Sequence, residues 1–501
     1  MLALRFALWA FAVWSLGLSG VQGATSLSPS STPFISPPLE TEFGKQADTP
    51  SFLLRLGPDT ASVCNSSTPG TAGSIISEDG HGGTSSMFFW FFESKNDPSS
   101  DPLILWMTGG PGASSVGYGN LMELGPCRIA TEGGNTVPNE FGWNANATVL
   151  FVDQPVGVGY SRGEHIPHGL AESSIAMHRF LRQFMTAFPD LAERDFYIAG
   201  ESYGGSWVPA LARTILQSQN GGREEPLKVQ DPSYSSSSIA SFQTPTISLK
   251  GIMIGNGLIR RSFQNIGFFE TVCSGPDSVF NSSECRDWAP RAMWCERELG
   301  ICESDGMMSP PCKAAEDKCA AICRVVVEEK HRNPYDLRLE CHDPATCYTE
   351  MQRIDEYLNQ DSVKEALGVP VSDKFQGISL DIFEEWERLG DLWRASDAYV
   401  NYLLESDIRV LIYVGDKDLY CNAAGMRQLV DHGLDWHGQP FIRFRELIPW
   451  YVETNVAGRW KAYEPLTYLE IADAGHLAPF DKPLESLTLI NAWIWGSMPV
   501  S

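Results

Sequence analysis

One serine, one histidine and a pair of aspartates stand in this chain where acyl-transfer chemistry needs a nucleophile, a base and an orienting acid. Gly200-Glu201-Ser202-Tyr203-Gly204 reads G-x-S-x-G. Ahead of it runs the apolar stretch Phe196-Tyr197-Ile198-Ala199, and behind it Val208, Ala210, Leu211, Ile215 and Leu216 fall on one face of a helix. Strand, glycine-flanked turn and helix together thrust a serine out at the edge of a sheet, and side chains at the glycine positions would obstruct the turn. As a bare pentapeptide the pattern is common and reads equally as a structural turn. The flanking elements single out Ser202 as a nucleophile.

The acid and the base must come from elements that end at the same edge. Residues 409–414 form a β-prone run that opens into Gly415-Asp416-Lys417-Asp418, and residues 466–471 form a weaker one that opens into Ala472-Asp473-Ala474-Gly475-His476. An acid past one strand and His476 past a later one keep the order Ser, acid, His of the hydrolase version of this geometry. Spacing does not separate Asp416 from Asp418. His432 and His437 also follow the acids but come off no strand, and most of the nine histidines read as surface or packing residues. A third element is Leu103-Ile104-Leu105-Trp106-Met107-Thr108-Gly109-Gly110-Pro111-Gly112, a strand that ends in a glycine pair. Its unobstructed backbone N–H groups suit an oxyanion hole, with the Tyr203 amide as second donor; standing alone it reads as a Gly-Pro turn.

These pieces, with Phe88-Phe89-Trp90-Phe91-Phe92-Glu93-Ser94, Glu123-Leu124-Gly125-Pro126, Asp153 to Ser161, Gly255-Asn256-Gly257 and Gly475 to Asp481, resemble in order the blocks of the serine carboxypeptidases. The likeness runs from about Ser86 to Trp495. It implies an α/β-hydrolase fold, with a mostly parallel central sheet flanked by helices and a disulfide-rich cap insertion. The activity it implies is removal of C-terminal residues from peptides through an acyl-enzyme at acidic pH; an esterase or acyltransferase on the same fold is the alternative. By the same likeness Asp418 is the acid, and Gly110 and Tyr203 are the oxyanion donors. Trp106, Thr108, Gly109, Glu123 and Glu201 form the network that grips the substrate's free carboxylate. Thr108 stands where the family has asparagine, one donor in place of two, so a looser grip is expected. Two nearby, partly buried carboxyls cannot both ionise cheaply, so at least one of Glu123 and Glu201 should stay protonated and donate to a carboxylate. Read without the likeness, Glu123 is a structural acid.

The chain has 501 residues, 43% of them apolar, and a formal net charge of −25. That charge excludes nucleic acid and anionic membranes as partners and suits solubility in mildly acidic surroundings. Arg5 followed by the apolar residues 6–18 reads as a signal peptide over 1–23, and no later apolar run is long enough to span a membrane. Residues 24–50 read as a Ser/Pro-rich arm or propeptide, 51–257 and 351–501 as the two parts of the hydrolase domain, and 258–350 as the cap. Residues 217–246 read as a disordered polar insertion.

Twelve cysteines in a secreted chain read as disulfides before zinc ligands, and no metal or cofactor is expected. The family pattern implies Cys273–Cys285, Cys302–Cys312 nested within Cys295–Cys319, and Cys341–Cys347. Ala113 replaces one cysteine of the family's remaining bridge, and no cysteine lies between Cys347 and Cys421 to serve as the other. Cys64, Cys127 and Cys323 stay unassigned, and Cys421 is expected as a free thiol beside the acid. Asn65, Asn146 and Asn281 head glycosylation sequons. The destination expected is secretion, or alternatively a vacuolar or lysosome-like compartment.

Overall fold

The computed structural model describes residues 39–44, 51–68, 70–220, 246–274, 278–305, 309–341 and 347–498. The leader expected over 1–23, most of the arm and residues 221–245 of the polar insertion lie outside them. Among the described residues no helix is long and apolar enough to cross a membrane.

Thirteen strands make one sheet. Twelve are labelled here: β1 (Leu39–Phe43), β2 (Phe52–Leu56), β3 (Gly70–Glu78), β4 (Thr84–Phe92), β5 (Leu103–Met107), β6 (Thr148–Val152), β7 (Phe196–Ser202), β8 (Leu249–Gly257), β9 (Arg409–Gly415), β10 (Ile448–Val452), β11 (Asn455–Tyr463) and β12 (Leu466–Ile471). Their spatial order is β1-β2-β3-β4-β6-β5-β7-β8-β9-β12-β11-β10, and the two-residue strand Arg162–Gly163 pairs with β4. The six strands from β6 to β12 in that order run parallel, with antiparallel strands on either side. β1 falls inside the expected arm, so at least that part of it is an edge strand paired with β2.

The parallel strands are buried on both faces, which explains why they read as continuous apolar runs rather than alternating ones. Leu103, Leu105 and Met107 of β5 enter one core cluster and Ile104 and Trp106 the other. β9 divides in the same way, Val410, Ile412 and Val414 against Leu411 and Tyr413. Helices α1 (Gly169–Ala187) and α2 (Gly204–Gln219) bury Phe180, Phe184, Val208 and Leu211 in the first cluster.

The cap contains helices Arg261–Cys273, Ser282–Asp305, Pro310–Cys319 and Ala321–Glu328, then a hairpin pairing Arg332–Asn333 with Asp336–Glu340. Its own core is small: Phe268, Val272, Phe280, Ile322, Val326 and Leu337, joined by Leu419 from the hydrolase side. Disulfides supplement so small a core. All four cap bridges implied by the family pattern are present, and Cys64 pairs with Cys127. Cys323 and Cys421 are free and buried.

Candidate active site

Three adjacent parallel strands and their neighbour β12 bring the site together at their carboxyl ends. β7 ends on Ser202, which takes φ +58° and is the one partly exposed residue between buried Glu201 and buried Tyr203. A non-glycine residue in the left-handed region costs about 1–3 kcal/mol and persists where the surroundings enforce it. Here α2 begins at Gly204, and the Leu258 amide donates to the Ser202 carbonyl at 2.7 Å.

β9 leads into Asp418 and β12 into His476. His476 Nδ1 and Asp418 Oδ2 lie 2.6 Å apart, both residues buried. Asp416, which spacing could not separate from Asp418, instead accepts from the Asp473 amide at 2.8 Å and lies near Lys417. Burial pulls the His476 pKa down, but the charge and hydrogen bond of Asp418, with Glu201 behind them, outweigh it and raise it overall. Ser202 Oγ forms no hydrogen bond among the described residues, so Asp418 and His476 are joined while the serine hydroxyl stands apart. Such bonds are often long in a free enzyme and tighten when substrate binds.

The glycine loop after β5 lies against the serine. A Cβ on Gly109 would meet the Tyr203 amide nitrogen at 2.5 Å and Ser202 Cβ at 2.6 Å, so only glycine allows this approach. Gly110 takes φ +105° and is exposed. Among the described residues neither the Gly110 nor the Tyr203 amide donates a hydrogen bond, which leaves both free for an oxyanion. After this loop a π-helical segment, Ser115–Leu124, is buried at every residue and carries Glu123. π-Helical turns recur at functional sites.

Glu123 and Glu201 are both fully buried neighbours. No N–H or hydroxyl donor among the described residues reaches Glu123 Oε1, Glu123 Oε2 or Glu201 Oε2. Two ionised carboxylates so placed repel, so the pair is favoured when at least one of them holds its proton. Burial first pushes Glu123 up to about 8, with Glu201 and Arg128 pulling the other way. Glu201 is raised well above the carboxylate range by burial and then by Glu123. Thr108 is also buried, its Oγ1 accepting from Trp106 Nε1 at 2.9 Å and its amide donating to Ser115 Oγ at 3.1 Å.

Three contributors escaped sequence reasoning. Asn256, at the end of β8 with φ +40°, donates to Asp418 Oδ2 at 2.8 Å and accepts from the Gly415 amide at 3.0 Å. Its only signal was the Gly-Asn-Gly block. Tyr335 of the cap hairpin accepts at its carbonyl from the His476 amide at 2.7 Å, and its ring lies 5.2 Å from the imidazole. Tyr413 of β9 keeps a buried hydroxyl without a partner close enough to Glu201 and Glu123 for their charge to raise its pKa, after burial. The Cys421 amide donates to Asp418 Oδ2 at 3.2 Å, and burial, then Asp418, raises its thiol well above the ordinary range.

Of the sequons, Asn65 and Asn281 are exposed. Asn146 is half-buried, its Oδ1 accepting from Asn491 Nδ2 at 3.1 Å.

The family model described as serine carboxypeptidase matches residues 77–496. The chain belongs to the serine carboxypeptidase family. This carboxypeptidase is 35% identical over 421 residues to the vacuolar serine-type carboxypeptidase ATG42 of Saccharomyces cerevisiae, covering 83% of this chain and 77% of that one. It is 35% identical over 418 residues to carboxypeptidase Y of the same yeast, at 82% and 73% coverage. Carboxypeptidase Y of Schizosaccharomyces pombe matches at 35% over 415 residues, 82% of this chain but only 40% of that longer relative. The crystal structure of the prohormone-processing carboxypeptidase Kex1 from Saccharomyces cerevisiae shares the fold, with a TM-score of 0.69 at 22% identity, over 88% of this chain and 93% of that one. The enzyme is thus a serine-type carboxypeptidase, a hydrolase with disulfide bonds on the α/β-hydrolase fold. These matches do not favour the esterase or acyltransferase alternative.

Proposed function

We propose that Ser202 is the nucleophile of this carboxypeptidase, His476 its base and Asp418 the acid that holds the imidazole. Ser202 Oγ attacks the last peptide carbonyl and its proton passes to His476 Nε2. The Gly110 and Tyr203 amides take up the oxyanion. The imidazolium then protonates the departing amino acid, and a water deprotonated by the same nitrogen releases the acyl group. The observation that carries this reading is the buried 2.6 Å contact of His476 Nδ1 with Asp418 Oδ2, at the sheet edge where Ser202 is held at φ +58°.

The substrate is a peptide or protein C-terminus. Its carboxylate is gripped by the protonated Glu123–Glu201 pair together with Trp106, Thr108 and the Gly109 amide. Ionisation of that pair converts a donor into a repelling charge, so peptide binding weakens as pH rises. An acidic setting follows from that chemistry, and a secreted or vacuolar destination fits it.

Two measurements test the proposal. A fluorophosphonate should label the wild type and leave Ser202→Ala unlabelled, with turnover down about 10³–10⁶-fold in that variant. For a blocked dipeptide KM should climb from about pH 5 to about pH 8, while the matching C-terminal amide shows no such climb. Labelling that persists in Ser202→Ala removes the nucleophile assignment. An equal rise in KM for both substrates removes the carboxylate grip.

A further inference from the structure

Away from the catalytic edge, three of the nine histidines gather at one spot. His81 sits in the turn between β3 and β4, and His165 and His168 in the segment leading into α1. Glu172, in the first turn of α1, receives two of them on a single oxygen. His81 Nε2 lies 2.7 Å and His165 Nε2 2.6 Å from Glu172 Oε1. The two imidazole rings stack with centroids 3.9 Å apart.

The carboxylate is held from behind. Its other oxygen, Oε2, accepts from the His168 amide at 2.6 Å, and His168 Nδ1 reaches Glu385 Oε1 at 2.8 Å. The turn carrying His81 is fixed in turn by Asp79 Oδ1, which accepts from the His81 and Gly83 amides at 2.7 and 3.0 Å. Asp79 Oδ2 is buried without a partner. Asp79, His81, His165 and Glu172 all line one cavity of about 50 Å³.

We propose that His81, His165 and Glu172 bind a divalent transition-metal ion of the Zn²⁺ type. Two imidazole nitrogens and one carboxylate oxygen lie within 4.8 Å of one another. Ligand atoms about 2.0–2.2 Å from a tetrahedral zinc ion stand about 3.3–3.6 Å apart, so side-chain shifts of about 1 Å open this cluster around an ion. Nitrogen and carboxylate donors without thiolate suit Zn²⁺ over a soft or an all-oxygen cation. The volume accommodates one ion and a water in the open fourth position. Glu172 and the unpartnered Asp79 oxygen supply the negative charge that a doubly charged cation requires. The backbone bond from His168 to Glu172 and the Asp79 bracket on the His81 turn are the outer supports that orient metal ligands. Bound there, the ion ties the β3–β4 turn to the start of α1.

The untagged full-length enzyme, first stripped with a chelator, is titrated calorimetrically with Zn²⁺ at about pH 7.5. One saturable site is expected, with a higher Tm for the loaded protein. His81→Ala/His165→Ala should lose the site, and the isosteric Glu172→Gln should weaken it by about tenfold or more, as even outer-shell changes cost 10–100-fold. Co²⁺ in place of Zn²⁺ should give visible absorption in the wild type that the double variant lacks. Peptidase activity retained in the variants shows that they are folded. Asp418, Cys421 and His476 also offer three ligand atoms within 4.8 Å, so the double variant decides which cluster binds. No binding in the wild type, or binding unchanged in the double variant, overturns the proposal.

Discussion

Asp418 Oδ2 takes three hydrogen bonds, from His476 Nδ1, Asn256 Nδ2 and the Cys421 amide, whereas Oδ1 is buried without a partner. One oxygen therefore makes all of the carboxylate's contacts, the one to the imidazole included. Asp418→Asn should presents an amide to Nδ1 and favours the wrong tautomer, a loss of about 10⁴ in kcat. Asp416→Asn, at a partly exposed side chain bound to the Asp473 amide, should stay within a few-fold of wild type; kcat for both variants checks the pair. Reversed effects would return the acid to Asp416. Asn256→Ala orphans the Gly415 amide and removes one support of Asp418, so kcat should fall about tenfold or more with KM nearly unchanged. An altered KM with normal kcat would place Asn256 in substrate binding instead.

At the scale of elements, legibility followed how local each signal was. β12 spans the predicted 466–471, and β9 and β7 extend their predicted runs by one and three residues, because buried parallel strands announce themselves as unbroken β-branched and aromatic runs. α2 runs three residues into the segment read as a disordered insertion, since Gln217, Ser218 and Gln219 are polar yet continue the helix. The π-helical stretch Ser115–Leu124 left no periodic trace, being interrupted by Gly117 and Gly119. Asn256 and Tyr335 were invisible as contributors because they meet Asp418 and His476 across more than a hundred residues of chain. Cys64–Cys127 was likewise beyond reach, as cysteine identity gives no pairing without the fold. The contact between loop and elbow also makes a prediction. Gly109→Ala places a methyl 2.5 Å from the Tyr203 amide nitrogen, so one oxyanion donor is displaced and kcat should drop about 10²–10³-fold with far-ultraviolet circular dichroism intact. Normal kcat would remove Tyr203 from the oxyanion hole.

The whole molecule holds an unusual store of buried acid. Burial pushes Glu123 up to about 8, Asp355 to about 7, and Asp153 and Asp481 to about 6. A carboxyl whose pKa is higher folded than unfolded binds its proton more tightly in the fold. Its contribution is complete below the unfolded value near 4 and is lost as pH rises through the folded one. His476, also raised, has the same sign. Exposed Asp97 and half-exposed Glu385, lowered to about 2, act oppositely but only as pH falls toward that value. The net charge of −25 adds self-repulsion near neutrality. Scanning calorimetry in the presence of a chelator should accordingly give a higher Tm at about pH 5 than at about pH 8. The reverse order would mean that these carboxyls are ionised in the native protein.

The cap hairpin touches both halves of the catalytic pair: Leu337 donates to the Lys417 carbonyl, Leu419 to the Pro334 carbonyl, and His476 to the Tyr335 carbonyl. Cys341, whose amide donates to the His331 carbonyl, ties the end of that hairpin through its bridge to Cys347. Activity should therefore depend on oxidation of the cap. A reduced chain should assemble its sheet and still be inert, because the segment that accepts from the His476 amide has not been fastened. During refolding in a glutathione buffer, hydrolysis should emerge in step with closure of the cap bridges and lag behind the circular-dichroism signal of the sheet. The surrounding thiol–disulfide balance would then act as the safeguard that keeps the peptidase silent until its cap bridges have closed.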